Sequence, residues 1–207
     1  MNAAELLQPF RVVPVVVIDD VATAVPLAQT LLESGLGAIE VTLRTEQGLA
    51  AMERIATELP DMLVGAGSVR RASQVADAVS AGARFVVSPG SSPALLDAVA
   101  DAGVPFVPGA VTASEMLVLL DDGYTLQKFF PAKLAGGPAF LKAVGAPIPE
   151  VSFMPTGGIN PDNAQEYLSL RNVACIGGSW VAPVSLLQAG DFDAIGKIAA
   201  DAARLGV

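Results

Sequence analysis

The sequence predicts an α/β fold: a single domain over residues 1–207, built as a TIM-type (β/α)8 barrel with a short N-terminal helix. Three observations predict it. Apolar residues make up 52% of the chain and charged ones 16%, the balance expected when strands are buried on both faces beneath amphipathic helices. Short β-branched runs alternate with helix-periodic segments every roughly 20 to 25 residues, the mark of repeated βα units. The length of 207 residues suits one domain near the lower limit for eight such units. An open doubly wound sheet is the competing architecture. It ranks lower because no GxGxxG follows the first strand and the glycine pairs suited to phosphate come late.

Taken in order, a helix over 3–8 precedes the first strand and can plug the lower end of the barrel. The strands are expected at 12–18, 38–43, 62–66, 84–88, 105–107, 125–130, 151–154 and 173–176. Between them, apolar spacing predicts helices over 21–33, 47–58, 73–81, 93–102, 113–120, 161–168 and 192–205. Gly35, Gly82, Gly103 and Gly123 each follow a helical run, where a left-handed closing residue is expected. Gly136-Gly137-Pro138 reads as a loop leading into the helix after the sixth strand.

Composition also excludes functions. A formal charge of −9, with only 12 scattered Lys and Arg, argues against nucleic acid, although loop N–H groups and one or two arginines can still hold a small anion. Cys175 is the only cysteine, in an apolar strand-like setting, so no intrachain disulfide forms and a reducing cytoplasm fits. The apolar run 12–18 is too short to span a bilayer, and no export signal or membrane segment is expected.

In a barrel of this kind chemistry sits at the C-terminal ends of the strands. Lys128 ends the sixth strand, and of four lysines it alone lies between an apolar strand and a Phe-Phe-Pro exit. An isolated strand-end lysine ordinarily snorkels to solvent. Among aromatics, burial disfavours the ammonium and favours the neutral amine that attacks a ketone. The chain has no histidine, so proton transfer falls to a carboxylate, a second lysine, a tyrosine or water, with Glu40 the first candidate. Spacing alone leaves Glu40 open between acid/base work and a structural pairing with an arginine. Glu40, Thr42 and Arg44 alternate along the second strand and its exit, which puts them on one face, pointing inward. Gly65-Ala66-Gly67-Ser68, Ser88-Pro89-Gly90 and Pro108-Gly109, read as following the third, fourth and fifth strands, leave room for a ligand. Gly157-Gly158 and Gly177-Gly178, read as following the last two strands, offer N–H donors where barrels place phosphate; either pair alone would be a turn.

Together the segments Glu40-Val-Thr-Leu-Arg44, Val64-Gly-Ala-Gly-Ser68, Ser88-Pro-Gly90, Lys128-Phe-Phe-Pro-Ala132, Met154-Pro-Thr-Gly-Gly-Ile159 and Gly177-Gly-Ser-Trp180 resemble the 2-keto-3-deoxy-6-phosphogluconate (KDPG) and 4-hydroxy-2-oxoglutarate (KHG) aldolases. The resemblance runs through the whole chain. It implies a small class I aldolase on a (β/α)8 barrel, cytoplasmic and trimeric, acting on a phosphorylated 2-keto acid and releasing pyruvate. Residue by residue it puts the imine-forming lysine at Lys128 and the acid/base glutamate at Glu40. It assigns the substrate carboxylate to Arg44 and the phosphate to Gly157, Gly158, Gly178 and Ser179. The pocket wall falls to Ser68, Pro89, Phe130 and Thr156. It implies no cofactor and no metal, because the imine replaces a Lewis acid, and the lack of histidine itself counts against a divalent-ion aldolase. Two positions depart from the family pattern: Ser68 stands where threonine is common, and Lys133, read as solvent-facing, where glutamate is usual. A galactonate-derived phosphosugar acid remains an alternative substrate. So does a phosphosugar barrel enzyme working without an imine, and so does a silent barrel that only binds such an acid.

Overall fold

The computed structural model describes residues 2–205. Helix α1 (Ala3–Leu7) opens on an Asn2–Glu5 capping box, in which each side chain accepts from the other residue's N–H. Then come strand β1 (Val12–Val16), α2 (Ala24–Glu33), β2 (Ala38–Thr42), α3 (Gly48–Glu58), β3 (Leu63–Gly67), α4 (Ala72–Ser80), β4 (Phe85–Val87), α5 (Pro93–Ala102), β5 (Phe106–Val107) and α6 (Ala113–Asp121). The second part continues with β6 (Leu126–Phe129), α7 (Gly137–Val144), β7 (Ser152–Pro155), α8 (Pro161–Leu168), β8 (Ile176–Gly178), α9 (Val184–Ala189) and α10 (Phe192–Ala203). Short 3-10 turns, Val21–Thr23 and Ser179–Val181, lead into α2 and follow β8.

Every named strand pairing is parallel. One sheet runs β5-β4-β3-β2-β1-β8 and a second pairs β6 with β7. Single parallel bridges connect them: Gly109 with Lys128, and Phe153 with Val173 and Thr156 with Gly177. Strand alternation sorts the core into two layers. Val12, Ile39, Val41, Val64, Val86, Phe129 and Phe153 pack with the helices. Val13, Ala38, Leu63, Phe85, Val87, Val107, Leu126, Met154 and Cys175 form a separate inner cluster that also takes Ala3 and Leu7 of α1. The N-terminal helix therefore packs onto the strand face that carries this second cluster.

The helix bounds match the periodicity closely, with α5 and α8 agreeing at both ends. Gly35, Gly82, Gly103 and Gly123 all have positive φ, as their positions demand. Three expectations are corrected. The eighth strand was read at 173–176 but is Ile176–Gly178. The carbonyls of Leu168, Val173 and Ala174 accept from the Arg11 guanidinium at 2.8, 3.3 and 2.7 Å, so those of Val173 and Ala174 serve a side chain rather than a strand ladder. The small residues Gly65, Ala66 and Gly67 lie within β3, held in register with Glu40, Val41 and Thr42. Likewise Gly136-Gly137-Pro138 is less a loop than the start of α7, with Gly136 its N-cap. Helix α9 was not anticipated.

Candidate active site

β6 delivers Lys128 to the inward face, 2% exposed, and β2 delivers Glu40, wholly buried. The Nζ of Lys128 lies 3.2 Å from Glu40 Oε1. The two residues singled out separately in the sequence are thus in direct contact. Moving one proton along that contact gives a free amine beside a carboxylic acid. Two buried ions are costly unless each has a partner, and here each is the other's. Glu40 Oε2 is buried without a hydrogen-bond partner, which leaves one carboxyl oxygen free for a reacting group or water. The ring of Phe130 sits 5.6 Å from Lys128 Nζ and closes one side of the amine.

The backbone holds this pair firmly. Lys128 N donates to Pro108 O at 2.7 Å, and Ala110 N donates to Lys128 O at 2.9 Å. Beyond the cis peptide Phe130-Pro131, Ala132 N donates to Thr156 O at 2.8 Å and Lys133 N to Gly157 O at 3.0 Å. The loops after β6 and β7 are thereby tied together. Lys133 itself is exposed, as expected.

The remaining expected residues fall around the same ends of the strands. Arg44 is exposed and its Nε donates to Ser68 Oγ at 3.0 Å. Ser68 has φ 58°, the left-handed region, where serine is less strained than a β-branched threonine. Thr42, expected to share the inward face, donates its hydroxyl to Val16 O at 2.9 Å and so fastens β2 to β1. Gly157 and Gly158 have φ 99° and 76°, conformations that favour glycine. Gly177 and Gly178, read as a loop, belong to β8. A side chain at Gly177 would meet Thr156 Cγ2 at 3.0 Å, and one at Gly178 would meet the Trp180 ring at 2.7 Å, so both glycines admit a neighbour's bulk. Ser179 is exposed at the start of the turn after β8. Pro89 lines a cavity of about 240 Å³ together with Arg70 and Ser88. Gly109 lies so close to the Pro89 backbone that a side chain there would collide with it.

Sequence reasoning passed over Gly67 as mere space for a ligand. A Cβ there would lie 2.5 Å from Glu40 Cγ and 2.7 Å from Cδ, and nearer still to Oε1. The notch it leaves is filled by the carboxylate. Other chemistry is shut off nearby: burial pushes the Cys175 thiol up to about 12, so it stays protonated and a poor nucleophile. Among the described residues, no three His, Cys, Asp or Glu side chains gather as a metal site, and no helix is long and apolar enough to cross a membrane.

A buried lysine in contact with one carboxylate, on parallel strands, invites comparison with known proteins. The sequence model of the KDPG and KHG aldolases matches residues 3–198. The chain belongs to this family. It is 51% identical over 202 residues to the 2-dehydro-3-deoxy-phosphogluconate aldolase of Pseudoalteromonas atlantica, covering 98% of this chain and 94% of that protein. It is 44% identical over 201 residues to the KHG/KDPG aldolase of Escherichia coli, covering 97% and 94%. Among solved structures, KDPG aldolase from Legionella pneumophila matches at a TM-score of 0.94 and 42% identity, over 97% of each chain. In that structure pyruvate is captured as a covalent carbinolamine. Family membership makes the protein a lyase that works on carbon–carbon bonds.

Proposed function

We propose that this chain is a class I aldolase that reversibly cleaves KDPG to pyruvate and glyceraldehyde 3-phosphate through an imine on Lys128, with cleavage of KHG to pyruvate and glyoxylate as a second reaction. The observation that carries the reading is the buried contact between Lys128 and Glu40. The carbinolamine captured in the Legionella relative supports it.

The free amine of Lys128 adds to the C2 ketone, and the carbinolamine hydroxyl leaves as water with the proton that Glu40 took from the amine, giving a protonated imine that serves as an electron sink and returning Glu40 to its carboxylate. Glu40 takes the C4 hydroxyl proton, the C3–C4 bond breaks, and its electron pair flows into the imine to give an enamine as the aldehyde leaves. Glu40 then returns the proton to C3, and hydrolysis frees pyruvate and the amine. Arg44, steadied by Ser68, holds the C1 carboxylate. Gly157, Gly158, Gly178 and Ser179 hold the phosphate, and Pro89, Phe130 and Thr156 line the reacting carbons. Holding both ends of the substrate positions the bond that breaks.

The same reading takes the chain as one domain whose eight strands close into a (β/α)8 barrel. The bridges joining the two sheets, and an inner cluster with residues from β1 to β7 and from Cys175 just before β8, support closure. It also places the protein in the cytoplasm as a homotrimer. The exposed apolar side chains of Leu117, Val118 and Leu134 favour an assembly that covers them. Pyruvate release measured in parallel on KDPG, its galactonate-derived epimer and KHG tests the assignment. KDPG is expected to give the highest kcat/KM, and a clear preference for the epimer, or no pyruvate from any of the three, would overturn it.

A further inference from the structure

We infer that Gly67 is a positioning residue for the proton-transfer step: the missing side chain is the space that aims the Glu40 carboxylate at Lys128. The inference rests on the acid/base reading of Glu40. Gly65 and Gly67 share the inward face of β3 by the two-residue strand period. Each leaves a notch. The ring of Phe85 from β4 fills the one at Gly65, where a Cβ would come within 2.5 Å of Phe85 Cε1. The Glu40 side chain from β2 fills the one at Gly67.

The ladder makes the second notch directional. Opposite Glu40 across the β2–β3 pair stands Gly65, while Gly67 stands opposite Thr42. To enter the notch, Glu40 leans one residue pair toward the C-terminal end of the strands, and there Oε1 reaches Lys128 Nζ at 3.2 Å. Retreat is blocked on both sides. β3 is paired along its length with β2, at Gly65 and Ala66 with β4, and Gly67 O accepts from Leu43 N at 2.8 Å, so its backbone resists yielding to a new methyl group. Glu40 is wholly buried, so its carboxylate must shift instead, and an ångström of misplacement in a reacting group is costly.

Four proteins test this: wild type, Gly67→Ala, Glu40→Gln and the double variant, each assayed for steady-state pyruvate release from KDPG. Gly67→Ala is expected to lower kcat by about 10- to 10³-fold with KM within about threefold. Added to Glu40→Gln, it should cost less than about threefold more, because the group it displaces is already disabled. A merely structural glycine would cost the same factor in both backgrounds. That additive result, or near wild-type turnover by Gly67→Ala, overturns the inference alone. An unimpaired Glu40→Gln overturns the acid/base reading and this inference with it. Should Gly67→Ala fail to fold, Glu40→Ala/Gly67→Ala is expected to fold, since truncating Glu40 empties the notch. Misfolding of that double variant would equally overturn the inference.

Discussion

Lys128 and Glu40 meet across 88 positions of sequence, and the cost of burying both is what makes their pairing chemically useful. Replacing Glu40 by Gln keeps the shape and removes the proton acceptor, so turnover of KDPG should fall by ~10²- to 10⁴-fold. An unchanged kcat in a stopped-flow or coupled assay would hand that role to another group. Arg44 calls for the opposite signature. Arg44→Lys keeps the charge but loses the planar fork, so KM should rise about tenfold or more with kcat largely preserved. A fall in kcat with KM unchanged would show that the side chain acts on the chemistry instead of on the carboxylate. Both members of the central pair were legible in the sequence, because a lysine inside an apolar strand and an inward glutamate are rare residue choices. Their direct contact was not, since it depends on the empty volume at Gly67, and a glycine in a run of small residues announces no particular neighbour. The left-handed Ser68 was equally hidden: nothing local in Gly67-Ser68-Val69 requires a positive φ.

At the level of elements, the helices were readable from periodicity and capping, while β8 was misplaced. Its true residues include two glycines, which strand propensity disfavours, and the β-branched Val173, three residues before it, gives its carbonyl to Arg11 from the far end of the chain. Arg11→Met should therefore leave three carbonyls short of a donor and destabilise the fold by about 2–4 kcal/mol in urea unfolding. A change within about 0.5 kcal/mol would mean that water replaces the guanidinium at no cost. Helix α6 supplies a pH-dependent case. The Val111 N–H first, then the Thr112 N–H and the Thr112 hydroxyl, hold the Glu115 carboxyl below its ordinary value of 4.5. The folded value is depressed, so this stabilisation is complete above pH 4.5 and is lost as pH falls through the folded value. The stability difference between wild type and Glu115→Gln should accordingly shrink below pH 4.5, and a difference that grows on acidification would reverse the sign argued here.

For the whole molecule, the alternation of strand and helix patterns disclosed the parallel α/β architecture, and the inner cluster explains why the chain tolerates so little polar residue inside it. Among the described residues the buried polar and charged side chains are Glu40, Thr42, Ser68, Ser88, Gln127, Lys128 and Thr156; Gln127 turns toward α6, and the others lie on or just after the strands around the Lys128–Glu40 pair, where the substrate is proposed to bind. The sequence could not reveal that Leu134 stands 87% exposed, since a single surface leucine in a loop leaves no periodic trace. Sedimentation velocity should give the mass of three chains. A monomer at micromolar concentration would rule the trimer out.

In the proposed reaction the Lys128 amine becomes covalently joined to the keto acid. Borohydride added to protein and pyruvate together, followed by peptide mass mapping, traps that bond. One reduced pyruvyl group per chain is expected, carried by the peptide containing Lys128 and absent from Lys128→Ala. Labelling at Lys133, Lys142 or Lys197 instead, or none at all with pyruvate release intact, would contradict it.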